Sequence, residues 1–572
     1  MTLSSCGRAE NVPEPERQKY QSDFECSAQY DGYFQHAEST DALGEQVKGV
    51  ILPHHLLAGS HLAEAYAALR EQHPSVVVIV SPDHDGAGEA KIVTTDIGYA
   101  TPYGSLAVDQ GLADQLSGIP LIRQDRNAFI YEAGISAHMP FIRHTFGDVP
   151  VLPVLVQGTT TMEEAEALAR ILDRILPDDA LVVASVDFSH YVPEWVADFH
   201  DATSLSTLEN FDLEFIPRLE VDSPASLATL QMFLKMRGAQ RIVYRDHTNS
   251  ASIEGKPEIA ETTSHVYLAF SAGEPMQEAG ISMLFYGDSM FARGIRQIGA
   301  KHGEAGMLDG IAQPNDRFFL GSHLTVVNQE GPVTDSTKEA AVRYVLKSDP
   351  VLAKSMLQRM KVNVLSFNNN HVYDAFDEGV ADTQEFARTN GMTLLEPDEP
   401  CHTFNVQQKK VALCAFDDSR KAIAVHAAQK IVEDRKKSAD WVVLSIHWGQ
   451  EYHQAPSDRE REIARLLIDA GADAIVGHGP HVVQPIEYYD GKPIAYSLGN
   501  FLFDQFDAPT NTGMILGLFL AEDSVQVTPI PFSNYFGKLS LLPFDSREEL
   551  LTRIRPALGP APASRSPSAG RP

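Results

Sequence analysis

Ala474-Ile-Val-Gly477-His478-Gly479-Pro480-His481 is a short apolar strand that runs directly into two histidines. A helix leads into it, carrying Ile463, Leu467 and Ala470 on one face, the spacing of an amphipathic helix laid on a sheet. The same pattern recurs upstream. Ser282-Met-Leu-Phe-Tyr286 leads to Gly287-Asp288-Ser289-Met290, and Leu324–Val327 leads to Asn328-Gln329-Glu330. Val362–Phe367 leads to Asn369-Asn370-His371, with Asp374 close behind, and Trp441–Ile446 leads to His447-Trp448-Gly449. Strands alternating with helices make a largely parallel sheet, and sites in such sheets form past the C-terminal strand ends. Any one of these polar residues alone would be an ordinary strand end. Five sets in succession mark one site.

Carboxylate, amide oxygen and imidazole together suit a pair of divalent ions such as Mn²⁺, Fe²⁺ or Zn²⁺. Two adjacent ions can clamp a phosphate, activate a water and stabilise a leaving oxygen. Outward from this region, Ser271–Gly280 is rich in turn-forming residues, and residues 273–280 read as a linker.

Before the linker the rhythm repeats. Val47–Leu52 and Val76–Val80 have strand length and flank Leu62, Tyr66 and Leu69 at helical spacing. Val151–Val156, Met162–Leu176 and Leu181–Val186 then read as strand, helix and strand. Histidines follow these strands too: Pro53-His54-His55, Asp83-His84 and Asp187-Phe188-Ser189-His190. Three imidazoles and a carboxylate gathered there could bind one transition metal, iron or copper.

At 572 residues the chain is long enough for two or three domains. The organisation expected is a polar arm over 1–45, an α/β domain over 46–272, the linker, a second α/β domain over 281–545, and a Pro/Ala/Ser-rich tail over 546–572. The formal net charge of −31 repels polyanions, so nucleic acid is not an expected partner. No apolar run approaches the ~20 residues that a spanning helix needs. Four cysteines exclude a disulfide scaffold, although Cys401 and Cys414 could pair. Leu3-Ser4-Ser5-Cys6-Gly7 matches the cleavage end of a bacterial lipoprotein signal. The chain as written reads as cytoplasmic, or as an envelope lipoprotein anchored through Cys6 if its true start lies upstream.

The ordered blocks Gly-Asp, Asn-x-Glu, Asn-His-x-x-Asp, His-Trp-Gly-x-Glu-Tyr, Gly-His-x-Pro-His-Val-x-Gln-Pro and Tyr496–Phe503 resemble the CapA (capsule and poly-γ-glutamate synthesis) family of calcineurin-like metallophosphoesterases over residues 281–505. That resemblance implies two stacked sheets flanked by helices around a dinuclear site. Asp288 and His481 would hold one ion, Asn370, His447 and His478 the other, and Glu330 would bridge. His371 would be the general acid, oriented by Asp374, and Arg293 would meet a substrate anion. Met290 stands where phosphoesterases at large carry the His of Asp-x-His, a loss the CapA branch shares, which weakens the first ion's set.

The N-terminal blocks, with Thr101-Pro-Tyr-Gly104, Asp109 and Met139-Pro140-Phe141, resemble the Memo family (AmmeMemoRadiSam system protein B) over residues 46–272. The implied fold is that of class III extradiol dioxygenases, with His54, His84 and His190 as ligands and Asp187 beside them. Two departures stand out. The family's Glu-His-Ser-x-Glu reads Glu132-Ala133-Gly134-Ile135-Ser136, and no cysteine occurs in Arg245–Glu254.

The function expected from these readings is metal-dependent hydrolysis of a phosphate ester or cell-surface polymer by the C-terminal half. One alternative is a non-catalytic, metal-stabilised binding or assembly protein. Another is a non-haem iron oxidoreductase in the N-terminal half.

Overall fold

The computed structural model describes residues 20–21, 27–277, 280–312 and 314–554. Cys6 and the Pro556–Pro572 stretch lie outside them. The chain divides into two compact units, one up to residue 277 and one from 278 onward, with 198–203 grouped with the second.

The first unit is built on a nine-stranded sheet. Its parallel centre runs in the order β1 (Val47–Leu52), β4 (Leu181–Ser185), β2 (Val77–Pro82) and β3 (Val151–Val156). Nearly every residue of these strands is buried, which is why they read as continuous β-branched runs rather than alternating ones. β5 (Phe188–Val192) and β6 (Thr262–Ser271) add antiparallel at the β1 edge. Helix α1 (Ser27–Ala37) falls within the stretch that reads as a polar arm. Its Tyr30 is nonetheless fully buried, meeting Phe141 edge-on at 5.4 Å. Helix α2 (Gly59–Ala68) buries Leu62 and Tyr66 as their spacing predicts. Helix α3 (Met162–Ile175) starts at a capping box, Thr161 with Glu164, and α4 (Pro224–Met236) starts at the Ser223 cap.

The second unit stacks two sheets. One holds β9 (Val364–Ser366), β8 (Leu324–Gln329), β7 (Ile281–Ser289), β14 (Thr512–Ala521) and β15 (Ser524–Tyr535), with β7, β8 and β9 parallel. The other holds β10 (Cys401–Val406), β11 (Lys409–Asp417), β12 (Trp441–His447) and β13 (Ala474–His478), parallel from β11 onward. Alternation along the strands decides what packs where. Val411, Leu413, Trp441 and Val443 join Met283, Phe285 and Val326 in the core between the sheets. Ala412, Cys414, Val442 and Leu444 face the other way, onto Ile463 and Leu467 of α5 (Asp458–Asp469). This is the two-sheet α/β sandwich that the blocks imply. A last helix, α6 (Phe544–Ile554), buries Leu550, Leu551 and Ile554 in the same core, so ordered structure continues into the stretch read as tail.

Cys401 and Cys414 are cross-strand neighbours in the β10–β11 hairpin and are disulfide-bonded. Among the described residues, no helix is long and apolar enough to cross a membrane.

Candidate metal centres

Strand register assembles the C-terminal centre. In the parallel pair β7–β8, Asp288 lies beside Asn328. In the pair β12–β13, His447 lies beside His478. The two pairs meet: the Asn328 amide donates to Asp288 Oδ1 at 2.9 Å and lies 3.3 Å from His447 Nδ1. His478 Nδ1 is 3.3 Å from Asp288 Oδ1, yet neither ring nitrogen of His478 makes a hydrogen bond. The turn after β13 brings His481 back, its Nδ1 3.0 Å from Asp288 Oδ2 and 2.9 Å from Asn500 Oδ1. Gly479 makes that turn possible. Its φ is +110°, and a Cβ there would lie 2.5 Å from the Trp448 carbonyl oxygen. Its N–H also reaches Asp288 Oδ2 at 3.3 Å.

Glu330, just past β8, is wholly buried, and neither carboxylate oxygen has a hydrogen-bond partner. Asp288, Glu330 and His481 each offer a ligand atom within 4.8 Å of the others'. A buried carboxylate with both oxygens unsatisfied is costly unless a cation meets it. The donor set therefore fits a divalent ion. Burial pushes the Glu330 carboxyl up to about 7, with Asp288 adding to the rise and His481 opposing it. Burial likewise holds His447 down at about 3, so its imidazole is neutral. Burial disfavours charge on His481, but Glu330 and Asp288 outweigh it and raise that imidazole to about 9.

A pH dependence follows. Glu330 and His481 both have folded-state values above their ordinary ones. Their contribution to the metal-free protein is complete below those ordinary values and is lost as pH rises through about 7 and about 9. A divalent ion takes the place of those protons. Thermal melts with EDTA and with Mn²⁺ should therefore show a larger metal-induced gain at pH 8 than at pH 6. Equal gains at both would contradict this assignment.

His371 stands at the same edge. Its Nδ1 is 2.7 Å from Asp374 Oδ2, and Asp374 also accepts the Leu346 N–H at 2.7 Å. Burial opposes charge on His371, but Asp374 and Glu330 prevail and raise its pKa. Two expected residues are placed otherwise. Asn370 is exposed in the turn after β9, and Asn369 is the buried one, donating to the Gln329 carbonyl at 2.8 Å and lying 3.5 Å from Asn328 Oδ1. Consecutive side chains in that turn diverge, so the amide nearest the cluster belongs to Asn369. Arg293 is held by Asp504, Nη2 to Oδ1 at 2.9 Å and Nε to Oδ2 at 3.1 Å. Its charge is already compensated, and its guanidinium sits 5.4 Å from the Tyr344 ring. Met290 is fully buried.

The N-terminal centre gathers His54 after β1, His84 after β2, and Asp187 and His190 around the start of β5. The His54 and His84 rings meet edge-on at 4.9 Å. Asp187 Oδ1 accepts the His54 N–H at 3.1 Å, and its Oδ2 lies 3.3 Å from His54 Nε2. Burial disfavours charge on Asp187, but His54, His265 and His190 around it hold its carboxyl well below the usual range. The His190 N–H donates to Glu220 at 2.8 Å. Two further carboxylates belong here that the sequence reading did not assign. Glu132 accepts from His84 Nδ1 at 2.6 Å. Asp222 shares ligand-distance groups with His54 and His84, and with Asp187 and His190. Glu132 lies within the block that departs from the Memo pattern, whereas Asp222 sits in a loop with no periodic signal.

A family model described as Bacterial capsule synthesis protein PGA_cap matches residues 282–505, and one described as Memo-like protein matches residues 20–243. The latter starts early enough to include α1. The PGA biosynthesis protein CapA of Bacillus subtilis (strain 168) is 35% identical over 275 residues, 44% of this chain and 71% of that protein. The capsule biosynthesis protein CapA of Bacillus anthracis is 27% identical over 44% of this chain and 66% of its own length. A MEMO1 family protein of Aquifex aeolicus (strain VF5) is 28% identical over 36% of this chain and 80% of its own length. Through its C-terminal half, the chain belongs to the CapA family of capsule synthesis proteins, and that half is joined to a Memo-like domain.

Proposed function

We propose that the C-terminal half is a two-metal hydrolase acting on a phosphate or related ester of a cell-surface polymer. The observation that carries this reading is Glu330, whose carboxylate is buried with both oxygens unpartnered and has an oxygen within 4.8 Å of ligand atoms of Asp288 and His481. Divalent ions bound there would polarise the ester and activate a water. Asp288, Glu330 and His481 form one donor set, with His447 and His478 beside it. Asn328 fixes the Asp288 carboxylate and favours the neutral state of His447. His371, with Nδ1 tied to Asp374, presents Nε2 as the proton donor to a leaving oxygen. The disulfide fits an oxidising compartment such as the cell envelope.

The binding-module reading retains one specific support, the buried Met290 in place of an imidazole. The two readings separate in an esterase assay. Purified protein loaded with Mn²⁺ is offered phosphomonoesters and phosphodiesters, and turnover abolished by EDTA and restored by Mn²⁺ supports hydrolysis. Full metal content without turnover on any ester would leave the binding module.

A further inference from the structure

We propose that Asp222 completes a two-histidine, one-carboxylate site with His54 and His84, so that the Memo-like half takes a divalent first-row ion such as Fe²⁺ or Mn²⁺ in preference to Cu⁺. This site is separate from the C-terminal centre and does not depend on the hydrolase reading.

Hydrogen-bond bookkeeping fixes the two imidazoles. The Ser185 hydroxyl donates to the Gly134 carbonyl at 2.6 Å, which uses its one proton. It can then only accept from its two histidine neighbours, His54 Nδ1 and His138 Nε2, each at 3.0 Å. His54 therefore carries its proton on Nδ1 and turns the Nε2 lone pair toward Asp222. The far side closes consistently, because His138 Nδ1 is left to accept from the Tyr66 hydroxyl at 3.0 Å. Glu132 plays the matching part for His84. It accepts from Nδ1 at 2.6 Å and from the His84 N–H at 3.1 Å, which leaves Nε2 as the outward atom. A carboxylate or hydroxyl on the non-ligating nitrogen is the usual support of a metal-binding imidazole.

Both Nε2 atoms point at one oxygen. Asp222 Oδ2 is 3.3 Å from His54 Nε2 and 3.8 Å from His84 Nε2. Donors held about 2.0–2.2 Å from a single ion sit about 3.0–3.5 Å from each other, so these separations are near those of neighbouring ligands. Asp222 is firmly placed. Its N–H donates to the Asp187 carbonyl at 3.1 Å, and its Oδ2 accepts the Asp187 N–H at 3.1 Å. The side chain is 7% exposed, and Oδ1 is buried without a partner. A buried carboxylate with Oδ1 unpartnered and Oδ2 beside two imidazole nitrogens calls for a cation. The donor set is nitrogen and oxygen with no thiolate, and Cys401 and Cys414 are bonded to each other elsewhere. Such a set favours Fe²⁺, Mn²⁺ or Zn²⁺ over soft Cu⁺.

The test is anaerobic Fe²⁺ binding to the full-length chain, compared among wild type, His54→Ala, Asp222→Ala and Asp222→Asn. His54→Ala defines which bound ion belongs to this half. Both Asp222 variants should weaken that same ion by at least about 100-fold and leave the remaining metal unchanged. The Asn form preserves size and the acceptor for the Asp187 N–H, which separates ligation from folding. Asp222→Cys should move the preference toward Cu⁺, a shift that a purely structural role would not produce. Undiminished Fe²⁺ affinity in Asp222→Asn, or no ion lost in His54→Ala, would overturn the assignment.

Discussion

His371→Ala is expected to lower Mn²⁺-dependent ester turnover by about 10²- to 10⁴-fold without changing metal content. The imidazole lies at the edge of the cluster. Its ring is bonded to Asp374 rather than to any carboxylate of the metal set. Losing it removes a proton donor and leaves Asp288, Glu330 and His481 in place. The loss should fall on kcat, with KM little changed, because the donor acts only as the leaving oxygen gains charge. Asp374→Asn should fall between wild type and His371→Ala, since it weakens the orientation and charge of the donor but leaves the imidazole. The pH profile gives a second check. His371 must be protonated, and its pKa is raised, so kcat should fall as pH rises through that raised value. In Asp374→Asn the same limb should move to lower pH. A His371→Ala protein that keeps wild-type kcat would remove His371 from the chemistry.

Asp288→Ala should have the larger structural effect. The carboxylate is fully buried and sits among His478, His481, the Asn328 amide and the Gly479 N–H. Removing it strands these polar groups beside the unsatisfied Glu330. Breaking such a buried charged cluster costs about 3–5 kcal/mol, which corresponds to a Tm lower by roughly 6–20 °C for a unit of this size. The loss should persist in EDTA, because it comes from the protein's own network. Added Mn²⁺ should recover little, since the variant lacks the ligand nearest His481. A melt unchanged in EDTA would mean that the cluster is not held by Asp288.

Much of the C-terminal centre was legible because parallel strands end at one edge. Asp288, Glu330, His447, His478 and His481 each follow an apolar run, and register alone then brings them together. Asn328 was harder to see, because an amide at a strand end announces no function until His447 is found 3.3 Å away. The motif position points to Asn370, whereas the turn after β9 buries Asn369 and leaves Asn370 exposed. In the other half, strand-end logic located His54 and His84 but could not reach Asp222. That residue lies 35 positions beyond Asp187 and is delivered by an isolated bridge pairing Phe188 with Val221. Helix α1 carries a short stripe, Tyr30, Tyr33, Phe34 and Ala37, that packs on the core, but it spans only two turns and stands among polar residues, so composition hides it.

Whether Glu330 holds metal is read most directly from metal content by mass spectrometry on full-length wild type and Glu330→Gln, purified and loaded with Mn²⁺ in parallel. Glu330→Gln is expected to lose the C-terminal ions, about two per chain, together with Mn²⁺-dependent turnover, while any ion held by the Memo-like half remains. Equal metal content in the two proteins would contradict this, because the buried, unpartnered carboxylate would then have no cation to meet.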